Sequence, residues 1–118
     1  MKSVIMMAAL LLLTGCGHTL FHNWSRDDKI LFATSTGLLT VDAFQTRYIL
    51  KSDDFTEKNP VLKKLGPGGV FPYFAVCIIG TYIVADFLEE DNRTNFLNIV
   101  NAIEFFTVGN NVRIGVKF

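Results

Sequence analysis

The chain of 118 residues is short of most things that announce a chemistry. It has two cysteines, Cys16 and Cys77, far apart and in different surroundings, which is too few for a disulfide framework. There is no CxxC pair, no glycine-rich phosphate loop, no internal repeat and no nucleophile–base arrangement, so nothing points to an enzyme. Charge is scarce: 19% of residues are charged, against about 25% in ordinary soluble domains. The eleven basic and eleven acidic residues cancel, which removes the electrostatic case for nucleic acid. Only two histidines occur, His18 and His22. Their i, i+4 spacing lies in a stretch without helical pattern, and no metal site is expected. What the chain has instead is apolar length: half of it is hydrophobic, with eleven Phe and one Trp. The length suits one domain.

The start carries an address. Lys2 precedes an uninterrupted apolar run, Val4 to Leu13. Ten residues fall well short of the about 20 that cross a bilayer, but they suit the core of a signal peptide. The run ends at Leu13-Thr14-Gly15-Cys16. This resembles the bacterial lipobox, an aliphatic residue and two small ones before a cysteine. The resemblance implies a lipoprotein precursor: residues 1–15 are removed, and Cys16 carries diacylglycerol and a fatty acyl chain such as palmitate. No other cofactor is expected. Gly17 follows, in place of the Asp often associated with inner-membrane retention.

Residues 16–29 read as a polar linker. Three long apolar segments follow, at about 30–50, 70–88 and 96–114. The fold expected is all-α, a signal peptide followed by a three-helix transmembrane bundle over 30–118. Charge supports that topology. With Cys16 outside, the inner segments hold Arg47, Lys51, Lys58, Lys63, Lys64, Arg113 and Lys117, whereas the outer ones hold Arg26, Lys29 and Arg93. The bias obeys the positive-inside rule. It puts the N-terminus in the periplasm, the 51–69 loop in the cytoplasm and the chain in a bacterial cell membrane, the inner one. A soluble helical bundle tethered by a lipid at Cys16 is the rival. Against it, Val70 to Leu88 shows almost no polar face before Asp86.

Polar residues inside the segments fall on stripes. Asp42, Gln45 and Thr46 share a helical face, with Ser35 one heptad earlier; Asn101, Glu104, Thr107 and Asn111 share another. In lipid the two stripes should face each other, since an acid at the bilayer centre costs about 2.5–3.5 kcal/mol. Counted from the outer ends, Asp42 lies about 18 Å deep and Glu104 about 12 Å. Asp42 is therefore expected beside Thr107, Asn110 or Asn111, and Glu104 near Leu38 and Leu39. Close approach of the middle helix is expected at Cys77, Gly80 and Thr81. In the loop, Asn59-Pro60 predicts a short interfacial helix, Pro60 to Leu65, capped by Asn59.

The pattern "DAFQT…EKNPVL…YF…NNVRIG" resembles small multi-helix membrane proteins of proteobacteria and their phages over residues 42 to 115. The resemblance singles out Asp42, Gln45, Thr46, Glu57, Asn59, Pro60, Asn111, Arg113 and Gly115. It implies that Asp42, Gln45 and the Asn59-Pro60 loop form one cytoplasm-facing cluster with Asn111 and Arg113, in which Arg113 is expected to pair with Asp42 or Glu57. The expected role is interaction in the cell envelope or a phage, with membrane lipid, a second copy or another envelope protein as partner. Two alternatives stand beside it: an oligomeric ion, proton or small-solute element using Asp42 and Glu104, and the tethered soluble bundle.

Overall fold

The computed structural model describes Lys2 and residues 20–117. Apart from Lys2, the expected signal peptide lies outside the described residues, as do Cys16 and His18. Those described are all-helical, with no strand among them. Helix α1 spans Arg26–Lys51, α2 Pro60–Leu65, α3 Val70–Phe87 and α4 Glu90–Arg113.

Local chemistry sets most of the ends. Ser25 caps α1 by accepting from Asp28 N at 3.0 Å, and Asp27, Asp28 and Lys51 complement its dipole. Asn59 caps α2, its Oδ1 accepting from Val61 N and Leu62 N, and Pro60 takes the first turn, where its missing N–H costs nothing. Gly66 stops α2 at φ 73°, a conformation open to glycine. Gly69 has a different reason: a Cβ there would stand 2.6 Å from Leu65 Cβ. The Gly66–Gly69 turn thus folds α2 tightly back onto the start of α3.

Helix α1 packs chiefly on α4, less on α3, and α3 least on α4. Because α1 and α4 run in the same direction, level residues keep a constant offset. Thr94 bonds Asp28, Asn101 bonds Ser35 and Asn111 bonds Gln45, each pair 66 residues apart. The α4 residues facing α1 alternate in threes and fours (Thr94, Leu97, Asn101, Glu104, Val108, Asn111), the heptad seam of a parallel helix pair. The expected close approach at Gly80 is absent: a Cβ built there meets nothing within 4 Å.

Two small apolar clusters hold the ends. One joins Leu39, Ala43, Leu62, Val70 and Phe74; the other joins Trp24, Ala85 and Leu97, with Phe21, Phe32 and Tyr82 around them. Polar groups are buried among them. Asp28, Ser35, Asp42, Gln45, Thr46 and Arg93 are all buried, whereas Phe44, Val76, Ile79, Ile83, Ile99, Ile103, Phe105 and Phe106 are exposed. One helical stretch among the described residues, Pro67–Phe87, is long and apolar enough to cross a membrane, and only 17% of it is buried within the chain. Helices α1 and α4 do not meet that test of composition; their polar residues line the α1–α4 seam.

Candidate functional site

At one end, residues 20–25 do not behave as the linker expected over 16–29. They dock. Trp24, 6% exposed, donates from Nε1 to Asp86 Oδ1 at 2.9 Å and stacks on Tyr82, and Phe21 N donates to the Tyr82 hydroxyl at 3.1 Å. Arg93 closes the arrangement. Its guanidinium donates to the carbonyls of Ala85, Asn23 and Leu88 at 2.8, 3.0 and 2.9 Å, lies 5.0 Å from the Trp24 ring and stands 3.6 Å from Asp28 Oδ2. Asp28 Oδ1 accepts from Thr94 Oγ1 at 2.6 Å. Arg93 is buried, and the helix containing it begins at Glu90, not near 96 as expected.

Along the α1–α4 seam the polar groups form layers. Ser35 Oγ donates to Asn101 Oδ1 at 2.6 Å, and Asn101 Nδ2 to Leu31 O at 3.0 Å. Deeper, the Asp42 and Glu104 carboxyls face each other beside one cavity, and Thr46 Oγ1 donates to Asp42 Oδ1 at 3.3 Å. Deeper still, Gln45 bonds Val108 O at 3.4 Å and accepts from Asn111 Nδ2 at 3.0 Å.

The Asp42–Glu104 contact corrects the expected pairing of Asp42 with Thr107, Asn110 or Asn111. At an offset of 66 the residue level with Asp42 is Val108. Glu104 stands one turn back on the same face of α4, within reach of a four-bond side chain. Two carboxyls hydrogen-bond only when one is protonated. With both ionised, Glu104 Oε2 is fully buried and faces no donor.

A cavity of about 670 Å³ opens beside this pair, between α1, α3, α4 and the 54–59 loop. Its lining gathers most of the residues singled out from sequence: Asp42, Thr46, Glu104, Thr107, Asn111, Glu57 and Asn59. Thr107 Oγ1 itself bonds within its helix, to Ile103 O at 2.9 Å. Gln45 is tied to the group through Asn111, and Pro60 opens α2 behind it. The loop is held by Glu57 Oε1, which accepts from Asn59 N at 2.9 Å, and by Asn59 Nδ2, which donates to the Tyr73 hydroxyl at 3.2 Å. Arg113 is not part of the group. It donates to Asn110 Oδ1 at 2.9 Å on the exposed side of α4, rather than pairing with Asp42 or Glu57.

No family model, curated protein or solved structure matches this chain. Function is therefore to be sought in the geometry and the sequence pattern alone. Among the described residues no group of three or more His, Cys, Asp or Glu side chains is arranged to hold a metal ion. Sequence reading missed the Asp28–Arg93 pair and the part played by Tyr73. Asp28 had a signal, since it extends the Ser35–Asp42 heptad one step toward the N-terminus.

Proposed function

We propose that the chain is a small lipid-anchored integral membrane protein of the bacterial inner membrane, with α1, α3 and α4 all crossing the bilayer, and that it works by binding in the cell envelope. One observation carries this reading: large apolar side chains from three helices face outward, while polar and ionisable ones, Asp28, Ser35, Asp42, Gln45, Thr46 and Arg93, are buried beside a small apolar core. In water that arrangement forfeits the main driving force of folding. In lipid it is what the solvent selects, because backbone and side-chain polar groups must find partners inside.

The dimensions agree. At 26, 18 and 24 residues, α1, α3 and α4 measure about 39, 27 and 36 Å, against a hydrocarbon core of about 30 Å. The low burial of α3 argues against a soluble core helix, which would be covered. The lipobox reading of Cys16 places the docked residues 20–25 and the Asp28–Arg93 clasp on the periplasmic side, and the charge bias places the 51–69 loop inside. A conduit built on Asp42 and Glu104 is less favoured, because Leu97, Trp24 and the Arg93 clasp close the outer end of the seam.

Alkaline extraction of membranes tests the reading, combined with labelling by a palmitate analogue in wild type and Cys16→Ala. Label should vanish in the variant while the protein stays in the pellet. Release of the variant into the supernatant would overturn the three-span bundle and leave a tethered soluble domain.

A further inference from the structure

We propose that the cavity beside Asp42 and Glu104 binds a small organic cation, a protonated amine with a short apolar body. The inference rests on the membrane reading for its surroundings, but its own support is local. The cavity, about 670 Å³, has the size of a small-molecule site. Asp42, at its inner end, is only 7% exposed. Glu104 Oε2 beside it is fully buried with no hydrogen-bond donor in reach. A buried carboxylate oxygen without a donor is costly to leave so. One proton shared by the pair relieves it, and so does a cation with hydrogens to give.

The chemistry of the lining selects the kind of cation. Asp54, Glu57 and Cys77 also line the cavity, but among the described residues no three such groups are arranged to hold a metal ion. The apolar part of the wall includes Leu39, Tyr73, Phe74 and Cys77, and Lys58 is the one basic residue in the lining, beside Asp54 and Glu57. Aromatic faces and aliphatic carbon suit an alkyl chain and stabilise a neighbouring ammonium through the ring quadrupole. An ammonium has three donors, enough to bridge Asp42 and Glu104 and displace the proton between them.

The way in is also defined. The 54–59 loop, Ile49, Asn110 and Ile114 form the mouth, which the charge bias puts on the cytoplasmic side. Above the carboxyl pair the seam closes through the Ser35–Asn101 bonds and Leu97, fully buried.

The test uses the full chain in phosphatidylcholine nanodiscs, a zwitterionic bilayer that does not itself attract amines. Butylammonium chloride is titrated by calorimetry, with sodium chloride at matched ionic strength as control. Wild type should give a saturable response absent with sodium. Asp42→Asn and Glu104→Gln, near-isosteric changes, should each weaken it about tenfold or more. A readout on unmutated cavity residues guards against variants that fail to assemble: butylammonium should slow alkylation of Cys77 by N-ethylmaleimide saturably, in protein whose only other cysteine, Cys16, is lipidated or replaced by Ala. No saturable response in wild type, equal response to sodium, or unchanged binding in both neutral variants would overturn the proposal. None of these results bears on alkaline extraction, so failure here and failure of the membrane reading are told apart.

Discussion

Arg93 shows how much one side chain can hold. Every nitrogen of its guanidinium has a carbonyl partner, and its charge meets Asp28, itself fully buried. Removing one member of a buried ion pair strands the other, which costs about 3–5 kcal/mol, whereas replacing both is far milder. Arg93→Ala should therefore lower the thermal midpoint of the helical signal in detergent much more than the double variant Arg93→Met with Asp28→Leu. A double variant as unstable as the single would mean that the carbonyl bonds, not the charge pair, dominate. Ser35 is a contrast. Its hydroxyl bond to Asn101 is one interhelical bond of the kind worth about 0.6 kcal/mol in membranes. Ser35→Ala should be nearly silent in the same melt, and a large loss would show that the Asn101 amide depends on it.

At the scale of the element, the short helix α2 was legible because its signal is local. Asn59 caps, Pro60 starts and Gly66 stops, each through its own backbone chemistry. Asn59→Ala should cost about 1 kcal/mol from the cap alone. Because Asn59 also bonds Tyr73, the substitution should in addition make the 52–59 loop more sensitive to protease; an unchanged digestion pattern would confine Asn59 to capping. The start of α4 was not legible. Glu90 to Thr94 is polar and reads as a turn, and what makes it helical is tertiary: Arg93 reaching back to α3 and Thr94 reaching across to Asp28. The docking of Trp24 was hidden for the same reason, since its partners Tyr82 and Asp86 lie about sixty residues away. The two polar stripes were readable from helical periodicity, and the offset implied by starts at 30 and 96 is the 66 found in the bonds. Which residues would meet was harder. Level alone points Asp42 at Val108, and only the threes-and-fours run of the seam brings Glu104 to it.

For the whole molecule, the outward-facing apolar side chains and the charge bias together lead to the proposed topology. It is checked by replacing Lys58 and Asp91, one at a time, with cysteine in a chain otherwise lacking reactive thiols. A membrane-impermeant maleimide added to spheroplasts should label the cysteine at 91 and spare that at 58 until the membrane is opened. Labelling of both in intact spheroplasts would refute the three crossings.

If all three helices cross the bilayer as proposed, the parallel pairing of α1 with α4 has a consequence for biogenesis. A chain is inserted from its N-terminus, so the stripe carrying Ser35, Asp42 and Gln45 reaches the bilayer well before Asn101, Glu104 and Asn111 have been synthesised. Helix α3, which comes between, offers few polar groups of its own to shelter them. The first helix must wait, either beside the insertion machinery or at the water interface, and complete its crossing together with the last. A nascent chain arrested before α4 emerges should be an easy substrate for membrane quality control, and its lifetime should lengthen abruptly once Glu104 has entered.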